Sequence, residues 1–243
     1  VQNTEFLQIN DLDQLLDRVR QKYDVTFEPL RIKDLTLEIL QIADMEAYID
    51  HLAETSRDGL ELPLWAKIWP ASMMLAYYLC SLHVEKQLDM LELGSGVGLS
   101  GLAAAARGHK VLITDNNLDA LLFAKINILQ NNLQDNAAVH AVDFTADQLP
   151  RRFDCILGAE ILYHDKSYPP LLRFLGEHLE TSSVSEIILA SSKARKSPAF
   201  FQAAQEKFQV SHKTLECRDN PPEDNADQES HYITLYRMKA RQQ

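Results

Sequence analysis

The sequence predicts an α/β protein: a doubly wound, mostly parallel sheet whose last strands run antiparallel, preceded by a small α+β extension. Three observations predict it. From residue 88 onward, short apolar runs alternate with segments of helical periodicity, the pattern of a parallel sheet covered on both faces. The first of these runs leads into a glycine-rich turn and then a helix. The last two runs, residues 210–217 and 232–238, have a polar, acidic loop between them and no helix, which makes them an antiparallel edge pair.

Each element has its own signal. Asn10 or Asp11 can cap a helix on which Leu12, Leu15, Leu16 and Val19 share one face. Leu35, Leu37 and Ile39 alternate with Thr36 and Glu38, as in a half-buried strand. Met45, Tyr48, Ile49 and Leu52 return to helical spacing, and Arg57-Asp58-Gly59 marks a turn. Residues 1–62 hold few glycines and no chemical motif, so they read as an N-terminal extension to a larger domain over residues 63–243. Pro70 suits the first turn of an apolar helix over residues 71–83, and Trp69 before it is held extended. The alternation then runs as strand 88–93, an Ala-rich helix 99–107 stopped by Gly108, strand 110–114 and helix 117–131. Strand 137–142, strand 153–159, helix 168–179 with Pro169 and Pro170 near its start, strand 186–191 and helix 198–208 follow.

Composition narrows the function. The chain has 243 residues, 46% of them apolar and 24% charged, and a formal net charge of −11. An acidic balance argues against nucleic acid as a partner, because phosphate binding needs clustered Lys and Arg. The three cysteines are far apart and form no C-x-x-C, and the histidines form no H-E-x-x-H, so neither a disulfide framework nor a metal site is expected. The N-terminal segment has no basic stretch followed by an apolar core, and residues 73–82, the most apolar stretch, are too short to span a bilayer. A reduced, cytoplasmic, soluble protein without a membrane partner is expected. Val1 in place of an initiator Met suggests processing or trimming.

The strongest chemical signal is LELGSGVGLSGL, residues 91–102. Glycines between a strand and a helix let the backbone approach a ligand closely, and the helix N-terminus adds free N–H groups. Asp115 ends the next strand, where a carboxylate can accept hydrogen bonds from ribose hydroxyls. A nucleoside-containing ligand or a tight turn without one are both open on these residues. A dinucleotide fingerprint would need glycine at position 99, which holds Leu99. Glu92 would repel a pyrophosphate but suits a ligand bearing an ammonium or sulfonium group. Neither a Walker lysine nor a G-x-S-x-G elbow is present.

With these residues in place, the sequence resembles the class I, seven-β-strand methyltransferases that use S-adenosylmethionine, over roughly residues 63–238. ELGSGVG, residues 92–98, resembles their first motif, and Asp143-Phe144 resembles the pair beside the adenine. The segment LPLWAKIWPAS, residues 62–72, and GAEILY, residues 158–163, are similar to segments of the protein-lysine methyltransferases called family 16. The first of these segments also resembles relatives that methylate the electron-transfer flavoprotein β subunit. The resemblance implies a Rossmann-like seven-stranded sheet and S-adenosylmethionine held by Trp69, Glu92, Gly94, Ser95, Gly96, Gly98, Asp115, Asn116, Asp143, Phe144 and Ala159. It implies Glu160 and Tyr163 as the catalytic pair beside the acceptor, with Glu160 where the family has Asp. A protein substrate with an accessible lysine is the implied partner. A small amine acceptor, a non-catalytic cofactor-binding module and, least of all, a nicotinamide dehydrogenase are the rival readings. Trp65 reads as packing. Lys193, Arg195 and Lys196 read as a solvated loop, and Asp219, Glu223, Asp224, Asp227 and Glu229 read as a substrate rim or a flexible loop.

Overall fold

The computed structural model of the chain describes residues 4–55, 62–83, 85–195, 197–218 and 230–241. The acidic positions between 219 and 229, Lys196 and the 57–59 turn lie outside them.

Helix α1, Leu12–Arg20, starts at Asp11, whose Oδ1 accepts the Gln14 N–H at 3.0 Å. Strands β1, Val25–Ile32, and β2, Leu35–Ile42, form an antiparallel hairpin, and α2, Met45–Thr55, follows. The sequence pattern revealed β2 and missed β1. Pro29 breaks the apparent strand signal of β1, yet proline is tolerated on an edge strand. The turn Lys33-Asp34 also lacks the usual glycine, and Lys33 takes φ 58° itself.

The remaining strands are β3, Asp89–Leu93; β4, Lys110–Asp115; β5, Ala137–Ala141; β6, Cys155–Ala159; β7, Glu186–Ser192; β8, Phe208–Arg218; and β9, Ser230–Ala240. They form one seven-stranded sheet in the order β5-β4-β3-β6-β7-β9-β8. Strands β5 through β7 are parallel, and β9 pairs antiparallel with both β7 and β8. The expected seven-stranded Rossmann-like sheet with an antiparallel end is therefore present. The intervening helices are α3, Pro70–Ser81; α4, Leu99–Ala106; α5, Leu118–Gln130; α6, Tyr168–His178; and α7, Pro198–Ala204. Helix α7 stops short of the expected residue 208, because Phe208 is buried and pairs with Ala240 as the start of β8.

Alternate residues along the central strands feed two separate cores. Met90, Val111, Ile113, Leu157 and Ile188 face a core shared with α1, the hairpin, α3, α4 and α5. Leu91, Leu93, Ile156, Ile187 and Leu189 face a second core under α6 and α7. Both faces are covered, so the strands read as near-continuous apolar runs. The chain leaves β3 toward β4 on one side and β6 lies on the other, so the connections part above the carboxyl ends of β3 and β6 and leave a crevice. No helix among the described residues is long and apolar enough to cross a membrane.

At the opposite end of the sheet, His109 is buried, and its Nδ1 accepts the Leu88 N–H at 3.1 Å. Burial pulls its pKa below the ordinary 6.5. The neutral ring therefore contributes stability that is fully present above about 6.5 and is lost as pH falls through the lower folded value. Urea unfolding at a series of pH values checks this. The stability gap between the wild type and His109→Asn is expected to narrow below about pH 6.5.

Candidate active site

Strand β3 runs into Gly94, Gly96 and Gly98, with φ of 58°, 54° and 84°. Gly96 shows why a side chain is excluded: a Cβ there would lie 2.6 Å from the Trp65 carbonyl oxygen. The loop is hydrogen-bonded to β4. Ser95 N–H donates to the Thr114 carbonyl at 3.0 Å, and Gly96 N–H donates to Asp115 Oδ2 at 2.9 Å. Asp115 Oδ1 accepts the Asn117 N–H at 2.9 Å. Each Asp115 oxygen thus has a backbone donor and keeps acceptor capacity for a ligand. Burial pushes the Asp115 carboxyl up, and the Asn117, Gly96 and Asn116 N–H groups oppose that push. Asn117 then caps α5 through Oδ1, which accepts the Asp119 and Ala120 N–H groups at 2.9 and 3.0 Å.

Glu92 is buried beneath α4, and its Oε2 accepts the Gly101 N–H at 3.0 Å. Position 101 must be glycine for this, because a Cβ would lie 2.6 Å from the same oxygen. Burial is the main reason that the Glu92 carboxyl is pushed up to about 8. The sequence carries a hint of this contact, a glycine inside an otherwise apolar helix, but only the fold shows what fills the space.

On the other side of the crevice, β6 ends at Ala159 and the next residue is strained. Glu160 takes φ 55°, with its N–H bonded to the Ala190 carbonyl at 2.9 Å. Its Oε1 accepts the Ser192 N–H at 2.6 Å, and its Oε2 forms an ion pair with Arg195 Nε at 3.1 Å. Arg195 is therefore part of the site and not simply a solvated charge. Tyr163 is 54% exposed, and its ring meets His164 edge-on at 4.8 Å. Burial, with Asp115 and Asp143 nearby, holds its pKa above the ordinary 10.0.

These groups line one cavity of about 500 Å³. Trp69, Glu92, Gly94, Ser95, Gly96, Asp115, Asn116, Asp143, Phe144, Ala159, Glu160 and Tyr163 all border it. Gly98 does not; a Cβ there would touch Ala124 at 3.2 Å and Ile113 at 3.5 Å, so it faces α5 and β4. Trp65 also borders the cavity, while its ring packs edge-on against Tyr23 and Phe123 at 5.8 and 5.0 Å. Trp69 Nε1 donates to the Leu64 carbonyl at 2.9 Å, which holds that ring at the rim. Leu62, Leu64, Lys67 and Ser72, from the segment of residues 62–72, also border it, as do Thr145, His164, Ser167 and Arg195, which no motif marked. Among the described residues, no three His, Cys, Asp or Glu side chains gather as a metal site requires.

The donor set fits a nucleoside with an attached cationic chain. Asp115 offers acceptors where ribose hydroxyls would lie, Val142 and Phe144 offer apolar faces for a base, and the cavity is the size of a small-molecule site.

Comparison with known proteins identifies the family. A family model described as lysine methyltransferase matches residues 55–208. The protein N-lysine methyltransferase METTL21A of Xenopus tropicalis is 34% identical over 156 residues, which cover 61% of this chain and 69% of that protein. The EEF1A lysine methyltransferase 3 of Mus musculus is 33% identical over 130 residues, covering 50% of this chain and 53% of that protein. The crystal structure of precorrin-6y C5,15-methyltransferase from Geobacter metallireducens shares the fold with a TM-score of 0.59 at 14% identity, covering 78% of this chain and all 100% of that one. The chain belongs to the lysine methyltransferase family, and its methyl donor is S-adenosylmethionine.

Proposed function

We propose that this enzyme methylates a lysine side chain of a protein substrate in the cytoplasm. One observation carries the reading: Glu160 and Tyr163 line the same cavity as Asp115 and the glycine loop, with Tyr163 at its exposed mouth. Leu64 and Tyr163, 55% and 54% exposed at that mouth, offer apolar surface to a macromolecule. The net charge of −11 suits a basic protein segment better than a nucleic acid or an anionic membrane surface. The buried thiols Cys80 and Cys155 are consistent with a reducing compartment.

The reading assigns catalysis to residues 63–243, with residues 1–62 as an extension. Trp69, Gly94, Ser95, Gly96, Asp115, Asn116, Asp143, Phe144 and Ala159 would hold the cofactor, and Glu92 and Gly98 would shape the loop behind it. S-adenosylmethionine, when bound, supplies an electrophilic sulfonium methyl group. The acceptor lysine must present a neutral amine, and at pH 7 that costs about 4.6 kcal/mol from its ordinary pKa. The Arg195 guanidinium beside Glu160 disfavours a second positive charge there, as does burial of the amine. Glu160, anchored by Ser192 and Arg195, presents a fixed carboxylate that attracts and orients the lysine and can accept its proton. Tyr163 stays protonated, so its hydroxyl can donate to or accept from the amine. Closure of protein substrate over the mouth removes water from the reacting groups.

Radiolabelled S-adenosylmethionine incubated with the enzyme and cell lysate is expected to label a protein band. Glu160→Gln is expected to reduce that label at least about tenfold while S-adenosylhomocysteine affinity holds within about twofold. Label confined to small molecules would refute the protein-substrate reading. Asp115→Ala is expected to weaken S-adenosylhomocysteine binding at least about tenfold in calorimetry, through loss of charged hydrogen bonds. Glu92 yields a pH signature. Its pKa is raised from 4.5 to about 8, so its favourable protonated contribution is full below 4.5 and lost as pH rises through about 8. Glu92→Gln, which keeps an acceptor for Gly101, is expected to flatten that decline in thermal unfolding between those pH values.

A further inference from the structure

Asn127, on α5, is fully buried, and its carboxamide joins two distant segments. Oδ1 accepts the Leu40 N–H of β2 at 2.7 Å, and Nδ2 donates to the Val97 carbonyl of the glycine loop at 3.1 Å. One helical turn later, Asn131 Oδ1 accepts the Glu38 N–H at 2.9 Å, and its Nδ2 donates to the Glu38 and Asn127 carbonyls, each at 2.8 Å. Together the two asparagines imitate a neighbouring strand along the β2 edge that faces away from β1. Glu38 lies opposite Pro29, a residue with no N–H to offer, and turns its own backbone groups toward α5. Both asparagines therefore hold the hairpin, but only Asn127 also holds the loop.

A second connection runs through aromatic packing. Tyr23, between α1 and β1, is 5% exposed and meets the Trp65 and Phe123 rings edge-on at 5.8 and 5.5 Å. Its hydroxyl donates to Asp119 Oδ2 at 2.8 Å. Trp65, held in this way, places its carbonyl oxygen against Gly96. The N-terminal elements thus press on the glycine loop from two directions: through Asn127 at Val97 and through Trp65 at Gly96.

We infer that the N-terminal helix and hairpin, residues 12–42, form a positioning element for the cofactor loop, with Asn127 as its coupling residue. The inference rests on the proposed reading in which this loop contacts the cofactor. Val97 is 3% exposed, so its carbonyl loses its partner without gaining water if the Asn127 amide is removed. The loop then relaxes in the ligand-free protein. Cofactor binding must reorder it, and affinity falls by that cost. A residue that only steadied the hairpin would change stability without changing affinity.

The test compares S-adenosylhomocysteine binding by calorimetry for the full-length wild type, Asn127→Ala and Asn131→Ala, at a temperature where thermal melts show each to be folded. Both variants are expected to melt earlier than the wild type. Asn127→Ala is expected to bind about tenfold more weakly, and Asn131→Ala to bind within about twofold of the wild type. Equal losses in the two variants, or an undiminished affinity in Asn127→Ala, would overturn the inference. Should Asn127→Ala fail to fold, the Tyr23 pair decides it. Tyr23→Leu removes the ring against Trp65 and is expected to weaken binding, while Tyr23→Phe keeps the ring and is expected to bind like the wild type. Wild-type affinity in Tyr23→Leu would then overturn it. A wild type that does not bind S-adenosylhomocysteine would instead refute the cofactor reading of the loop.

Discussion

The turn from β3 into α4 is the constraint on which the rest of the molecule depends. The backbone passes through the left-handed region at Gly94, Gly96 and Gly98, and it does so in a crowded space. The chain holds this conformation from four directions. Thr114 and Asp115 bind the loop from β4, Glu92 receives Gly101 from below, the Trp65 carbonyl abuts Gly96, and Asn127 holds the Val97 carbonyl. Glycine adopts these angles without strain, but its freedom means that the surroundings must select this one path. Asp115 and Glu92 each serve two purposes here: a carboxyl group that receives backbone donors is also one whose position in the crevice is set.

Glu92 and Glu160 illustrate how environment separates chemically similar groups. Glu92 is buried under α4 at the inner edge of the cavity, with the Gly101 N–H against it, and burial raises its pKa to about 8. Glu160, lining the same cavity, is balanced by the Arg195 guanidinium and the Ser192 N–H. The buried acid suits scaffolding, and the charge-balanced one suits orienting an acceptor amine that must lose its proton. Glu160 also sits at φ 55° immediately after β6, so a single strained residue carries the carboxylate from the end of the sheet into the crevice. Its extra methylene relative to Asp lengthens the reach of that carboxylate toward the end of β7, where Ser192 and Arg195 receive it.

Much of this was legible along the chain because it is local. The alternation of central strands and helices, the Asp11 and Asn117 caps and the sequence order of the glycines and Asp115 each depend on neighbours within a few residues. Strand β1 was not legible, because Pro29 interrupts its pattern and its tolerance depends on having no partner along one edge. The end of α7 was misjudged for a related reason: Phe208 fits a helical period, but burial and its pairing with Ala240 decide for strand. Arg195 looked like one charge in a solvated loop. Only the adjacency of β6 and β7 brings it against Glu160.

The sequence by itself determined the parallel sheet, its antiparallel end, the glycine turn and the residue types at the crevice. These follow from hydrophobic period, glycine placement and capping, all of which act over short distances along the chain. The tertiary structure alone decided that Gly98 faces α5 while Gly94 and Gly96 border the cavity, that Gly101 makes room for Glu92, and that Asn127 ties a hairpin to a loop. Such assignments depend on which surfaces meet when β4, β6 and α5 pack around β3. No local period along the chain encodes that meeting, because it arises from burying both faces of the sheet at once.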